Sequence, residues 1–270
     1  MADGCVVEPL EGVTKVVFHQ SWVGDYFKCP ERARRKLIEP EADMPNDATI
    51  LGTAYHTGIE EALREETWGA SLEKATDLMA AAFREPHVQR STQSECFALL
   101  ERVFRKWWED VRPGLLEEEI VSIERDFSFP FGMTKDYQIW LEGRIDAETR
   151  RGVRDHKTST PNSLRYWHAK NREKEIQGTT YSVAAVHDGT HTWPVRFRFD
   201  VVSKEDNPKY RPVEFTITAR HADWLLRRLA AIADQVVKVG IDSPWPMHDD
   251  SFLCSETWCP FWGTCRGAHL

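Results

Sequence analysis

The feature that most limits how this chain can fold is a change of hydrophobic period near Glu119. Upstream, apolar residues recur at the spacing of one helix face. Downstream they alternate, as the two faces of a strand require. Asp47 reads as the cap of a helix in which Ile50, Ala54, Gly58, Ala62 and Leu63 share a side. Ser21 can cap a short helix running toward Cys29, and Pro30 can open a second segment through Arg35 and Lys36. Further helices fit 71–84 and 92–111. Residues 120–129 are rich in β-branched and aromatic side chains. In 138–148, Ile139, Leu141, Gly143 and Ile145 alternate with Trp140, Glu142, Arg144 and Asp146. Residues 150–152 read as a turn and 153–159 as the returning strand. A helix fits 171–187. Val195, Phe197, Phe199 and Val201 alternate again, as do Val213, Phe215 and Ile217, and a last helix fits 219–239. The expected class is α+β, with a central mixed sheet, an N-terminal helical layer and a C-terminal cysteine-rich tail. The expected division is a lead-in at 1–20 and a single domain at 21–266, made of a helical part at 21–112, a core at 115–240 and a tail at 241–266.

A chain of 270 residues with 41% apolar content can bury one large core. Its net charge of -8 argues against a protein that coats nucleic acid indiscriminately, but not against an enzyme with a local basic groove. No N-terminal leader pattern is visible, and no run approaches the roughly 20 apolar residues that span a bilayer. A cytoplasmic, reducing setting without membrane partners is therefore expected. There, six cysteines point to metal or reactive thiols rather than disulfides.

The centre of the chain reads Gly143-Arg144-Ile145-Asp146, then Arg154-Asp155-His156-Lys157. On a strand Asp155 and Lys157 point the same way. If the turn at 150–152 closes a hairpin, Asp146 lies beside them. Two carboxylates and an ammonium at one spot suit a hard divalent cation such as Mg²⁺ or Mn²⁺. Such a cation can polarise a phosphoryl oxygen and generate hydroxide from water, with Lys157 offsetting the developing charge. A D-x-K triplet alone is weak, because short motifs recur by chance.

The order of the surrounding motifs strengthens it. His56 stands in Gly52-Thr53-Ala54-Tyr55-His56. Gly143 to Asp146 follows, then Asp155-His156-Lys157, then Gln177-Gly178-Thr179-Thr180-Tyr181. This run resembles the RecB-like nucleases of the PD-(D/E)XK superfamily, which include the AddB nuclease domain and the RecB-like nucleases of CRISPR adaptation. The resemblance covers about residues 21 to 266 and implies a PD-(D/E)XK, restriction-endonuclease-like core. By position it makes Asp146 and Asp155 metal ligands, with His56 as a third and the His156 carbonyl as a fourth. It makes Lys157 the catalytic lysine. Gln177 and Tyr181, four apart on one helix face, would orient the active site or the DNA strand. Asp155 stands where many relatives have Glu.

Cys254, Cys259 and Cys265 form a C-x4-C-x5-C tail, and Cys29 precedes Pro30 far upstream. Clustered thiolates bind Zn²⁺ or an iron–sulfur cluster. The resemblance favours the latter. The iron–sulfur subset of this family has one cysteine before a proline in an N-terminal helix and three near the C-terminus, implying a [4Fe–4S] cluster, with structural Zn²⁺ as the alternative. Many relatives separate the first two C-terminal cysteines by two residues, where this chain has four. Cys5 and Cys96 have no partner pattern.

From Arg144 to Lys174 basic residues outnumber acidic ones. Arg144, Arg154, Arg165, Lys170 and Arg172 are the expected phosphate contacts, and Tyr166, Trp167 and His168 could stack on bases or pack in the core. Arg32, Arg34, Arg35 and Lys36 form a second basic run. The function these features imply is a metal-dependent deoxyribonuclease, and the resemblance implies an exonuclease acting on DNA ends or single strands. The alternative is a non-catalytic DNA-binding or assembly subunit of the same fold. No G-x-x-x-x-G-K-[ST] loop occurs, so any helicase, recombination or CRISPR partner would be a separate chain.

Overall fold

The computed structural model describes residues 4–10, 12–64, 67–169 and 175–269. In chain order the elements are strands β1 (Cys5–Leu10) and β2 (Val13–His19), then helices α1 (Gln20–Lys28) and α2 (Pro30–Ile38). Four helices follow: α3 (Asp47–Arg64), α4 (Trp68–Ala82), α5 (Gln93–Asp110) and α6 (Arg112–Glu117). Strands β3 (Ile120–Met133), β4 (Tyr137–Thr149) and β5 (Gly152–Ser159) lead to α7 (Pro161–Leu164) and α8 (Ile176–His187). The chain ends with β6 (Val195–Ser203), β7 (Tyr210–Ile217), α9 (Ala219–Asp234) and α10 (Trp262–His269). Mixed strands and flanking helices give the α+β class. Among the described residues no helix is long and apolar enough to cross a membrane.

Contacts divide the chain into two compact units. The first gathers Met1–Met44, Asp126–Gly143 and Ala219–Leu270, and the second Pro45–Arg125 and Arg144–Thr218. The division follows spatial contact, so it cuts across the blocks 21–112, 115–240 and 241–266.

In the first unit, β1 pairs antiparallel with β2, and β2 pairs parallel with β4 from Thr14 opposite Tyr137 to His19 opposite Glu142. The stretch 1–20 is thus more than a lead-in. Val16, Val17 and Phe18 are buried, but each run is shorter than the window in which a period becomes visible. Ser21 lies inside α1 and its hydroxyl meets His19 Nδ1 at 2.9 Å, so it is not the cap. Pro30 opens α2, where its missing N–H costs nothing. The run Arg32 to Lys36 is not an open basic patch. Arg34 and Arg35 are buried, and the Glu31 carboxylate accepts hydrogen bonds from both at 2.7–2.9 Å and from the Trp245 N–H at 2.7 Å. Lys36 pairs with Asp25 and Asp43. A charge that leaves water must be paired, and here the pairing ties α2 to the C-terminal segment.

In the second unit, α3, α4 and α5 share a core that includes Leu51, Tyr55, Ile59, Met79, Leu100, Phe104 and Trp107. Asp47 does not cap α3. Asn46 does, its Oδ1 accepting from the N–H of Ala48 and Thr49, while Asp47 accepts from the N–H of Arg90 and Ser91. Thr92 and Glu95 form a capping box on α5. The end of β4 pairs antiparallel with β5, β5 pairs parallel with β6, and β6 antiparallel with β7.

Candidate active site

The β4–β5 hairpin builds the site by coming apart. Its ladder runs from Thr149 opposite Gly152 to Ala147 opposite Arg154 and then ends, while β5 continues against β6 with Asp155 opposite Phe199 and Lys157 opposite Val201. Past the break the His156 N–H donates to Asp146 Oδ2 at 2.9 Å. A backbone donor satisfied by a carboxylate rather than a carbonyl fixes that carboxylate in place. In an extended strand the carbonyl points to the same side as the N–H of its residue, so the His156 carbonyl also faces Asp146. Asp155 is fully buried. Lys157, two residues on, places Nζ 2.7 and 2.9 Å from its two oxygens.

His56 comes from α3, its Nδ1 3.3 Å from Asp146 Oδ2. Glu124 comes from β3, with Oε1 3.9 Å from His56 Nδ1. His56, Glu124 and Asp146 offer three ligand atoms within 4.8 Å of one another, and among the described residues no other such group occurs. Gln177 and Tyr181 share a face of α8, the Gln177 amide donating to the Tyr181 hydroxyl at 2.9 Å. Burial holds the Tyr181 phenol well above its ordinary pKa, and the charges of Asp146 and Asp155 push it the same way.

The electrostatics are those of crowded carboxylates. Burial and the neighbouring Asp146 push the Asp155 carboxyl up to about 7, against the pull of Lys157. Burial and Asp146 also raise Glu124. Burial works against charge on His56, but Asp146 and Glu124 more than reverse it and hold the imidazole above its usual value. Lys157 is likewise raised, burial being outweighed by Asp155 and Asp146. A nitrogen and several carboxylate oxygens around this excess of negative charge fit Mg²⁺ or Mn²⁺, whose bound charge would relieve it.

Glu124 was not visible in the motifs. Its signal is local: the charged triplet Glu124-Arg125-Asp126 interrupts an apolar strand, and the backbone at Glu124 is left-handed, with φ 46°. Among the expected phosphate contacts, Arg154 must be corrected. It is 2% exposed and pairs with Asp200 at 2.7 Å and Glu118 at 3.0 Å. Strand alternation explains this, because a residue beside Asp155 points to the opposite face. Arg144 is exposed, with Nη1 3.9 Å from Glu124. Arg165 is exposed and lies over the Tyr166 ring. Trp167 packs edge-on against Phe199 and donates to Ser159, so it belongs to the packing. Lys170 and Arg172 lie outside the described residues.

In the first unit, Cys29, Cys254, Cys259 and Cys265 line one cavity of about 380 Å³ together with Lys28, Arg32 and Arg35. Cys254 joins the others despite its wide spacing from Cys259. Burial raises the Cys265 thiol to about 11 and raises Cys259 as well. Cys5 stands on β1 and Cys96 in the helical core, and neither lines the cavity.

The diverging hairpin brings Asp146, Asp155 and Lys157 together at one end of its ladder. A profile of the PD-(D/E)XK nuclease superfamily matches residues 20–266, and the chain belongs to that superfamily. It is similar in structure to a candidate exonuclease from Eubacterium rectale, with a TM-score of 0.58 over 93% of this chain and 88% of that one, at 12% identity. At that identity the likeness speaks for the fold. No curated protein matches the chain by sequence.

Proposed function

We propose that the protein is a Mg²⁺- or Mn²⁺-dependent deoxyribonuclease of the RecB-like kind, acting on DNA ends or single strands. The observation that carries this reading is the convergence of Asp146, Asp155, Lys157 and His56 where the β4–β5 ladder ends. Asp146, Asp155, His56 and the His156 carbonyl would hold the cation. When bound, it would supply charge to the phosphoryl oxygens and acidify water. Asp155 holds the Lys157 ammonium in place, ready to meet negative charge as it develops on the phosphorus oxygens. Gln177 fixes the Tyr181 hydroxyl near both carboxylates. Arg144 and Arg165, with Lys170 and Arg172, would contact the DNA backbone. Preference for ends or single strands rests on the family resemblance, and the Eubacterium rectale relative is itself described as an exonuclease.

The reading includes a [4Fe–4S] cluster on Cys29, Cys254, Cys259 and Cys265, in a reducing compartment. The support is the cavity. All four cysteines line it, and clustered thiolates of this number hold an iron–sulfur cluster or Zn²⁺; the choice of the cluster rests on the family resemblance.

The test uses DNA labelled at either end, with and without added Mg²⁺ or Mn²⁺. Cleavage should require the cation and stop with EDTA. Asp146→Ala and Asp155→Ala should abolish it. Lys157→Ala should lower the rate roughly a hundred- to a thousandfold, or about 3–4 kcal/mol. Wild-type cutting by both Asp146→Ala and Lys157→Ala would falsify the assignment.

A further inference from the structure

We infer that Glu124 is a ligand of the same divalent cation as His56 and Asp146, delivered by a left-handed step in β3. The inference rests on the nuclease reading above and adds to it a carboxylate from a strand that none of the sequence motifs touches.

The geometry has three parts. First, Glu124 Oε1 lies 3.9 Å from His56 Nδ1, and Asp146 Oδ2 lies 3.3 Å from the same nitrogen. A contact of 3.9 Å is too long for a hydrogen bond. It is a natural spacing for two ligands of one ion, since atoms held at about 2.1 Å from Mg²⁺ stand roughly 3–4 Å apart. Second, among the described residues Glu124 meets its cationic neighbours His56 and Arg144 at 3.9 Å, too far for either to hold it in a short ion pair. By contrast the fully buried Glu148, on the same strand as Asp146, is saturated by Arg125, Ser122 and Thr190. Third, the backbone does something specific to present it. Neighbours on a regular strand point to opposite faces. Here Glu124 reaches toward Asp146 while Arg125 reaches Glu148, and Asp146 and Glu148 share a face of β4. The left-handed conformation at Glu124 is what lets two consecutive side chains serve one face. A non-glycine residue in that conformation is a cost that surrounding structure must sustain, and such positions cluster at functional sites.

The role assigned is therefore distinct from that of Asp155. Asp155 is engaged by Lys157, whereas Glu124 approaches the group from the side of β3 and α3. A histidine with two carboxylates from three separate elements makes a site whose donors are positioned before any ion arrives.

The test is Mn²⁺ binding by isothermal titration calorimetry on the full chain, purified without oxygen. The variants are Glu124→Gln, Glu124→Gly, Asp146→Asn and Lys157→Met. Glu124→Gln and Asp146→Asn should each weaken Mn²⁺ roughly tenfold or more, and Lys157→Met should change it little. Glu124→Gly keeps a residue that accepts the left-handed backbone. It should melt in EDTA at or above the wild-type temperature while losing the same affinity, which separates loss of a ligand from loss of fold. Mn²⁺ affinity within twofold of wild type in Glu124→Gln overturns the inference, and if Asp146→Asn has lost affinity in the same series the nuclease reading stands without it. Conversely, a protein that binds Mn²⁺ through Glu124 but cuts no DNA supports the ligand and sinks the nuclease reading.

Discussion

A charge taken out of water is tolerated when its partners are already in place, and Arg154 is held on those terms. Its guanidinium lies between Asp200, which is fully buried, and Glu118, whose side chain is 7% exposed. Tyr210 and Arg198 also meet Asp200, and Arg196 meets Glu118. Removing one member of such a set leaves the others uncompensated. Arg154→Met should therefore lower the unfolding free energy by about 3–5 kcal/mol in a denaturant titration, and it should leave the salt dependence of DNA binding unchanged. A loss of DNA affinity with a flatter salt slope, and no loss of stability, would return Arg154 to the phosphate contacts. The same network sets a pH dependence. Burial pushes the Glu118 carboxyl up, but Arg154 and Arg196 outweigh it and hold the pKa below its usual value. A carboxyl depressed in the folded state contributes stability that is complete above its unfolded pKa of about 4.3 and is lost as pH falls through the folded value. Acid unfolding of the wild type should therefore steepen below about pH 4, and Arg154→Met should shallow that limb.

At the scale of elements, the working part is the hairpin of β4 and β5, and its turn leaves room for only one residue type. Gly152 has φ 158°, and a Cβ there would collide with the carbonyl oxygen of Arg196 on β6. Gly152→Ala must push β5 away from β6 or open the turn, at a cost of about 1–3 kcal/mol. Because Asp155 and Lys157 ride on β5, a lower melting temperature should come with weaker Mn²⁺ binding. An unchanged melting temperature would mean that the turn relaxes freely. This hairpin was the most legible part of the sequence, and for a physical reason. Period-two alternation and a short turn are local, so Gly143 to Lys157 reads directly as two strands with Asp146 near Asp155. Gly143 also has a packing reason, since a Cβ would stand 2.7 Å from the Phe127 ring. Glu124 was illegible because its position depends on one backbone angle rather than on a period. Asp47 is the first residue of α3, where Asn46 takes the cap, and Ser21 is the second residue of α1, whose N-cap position His19 makes no side-chain cap hydrogen bond. The same alternation that puts Asp155 and Lys157 on one face puts Arg154 on the other, so its exclusion from the site is legible in the sequence.

At the scale of the whole chain, the carboxylate site and the proposed cysteine site belong to different units. The carboxylate site is assembled from α3, β3, β4 and β5 within the second unit, and the cysteine cavity joins the end of α1 to the C-terminal segment within the first. Cys29 and Cys265 lie near opposite ends of the sequence, so a group bonded to both would close a loop of most of the chain, and crosslinks of that kind restrict the unfolded state most. Thiols raised by burial, as Cys259 and Cys265 are, bind metal only by giving up protons, so binding free energy becomes folding free energy for the unit that contains them. Protein purified without oxygen should accordingly be brown, with iron and acid-labile sulfide near four of each per chain, as a [4Fe–4S] cluster demands. Ala at Cys29, Cys254, Cys259 or Cys265 should bleach it and reduce soluble yield. Ala at Cys5 or Cys96 should leave the colour, although at Cys96 a small loss of stability is expected from the buried helical core. Asp146→Ala should stay brown, because its site lies in the other unit. Colour lost from Asp146→Ala, or stoichiometric zinc without sulfide in anaerobic wild-type protein, would overturn this assignment of the two sites.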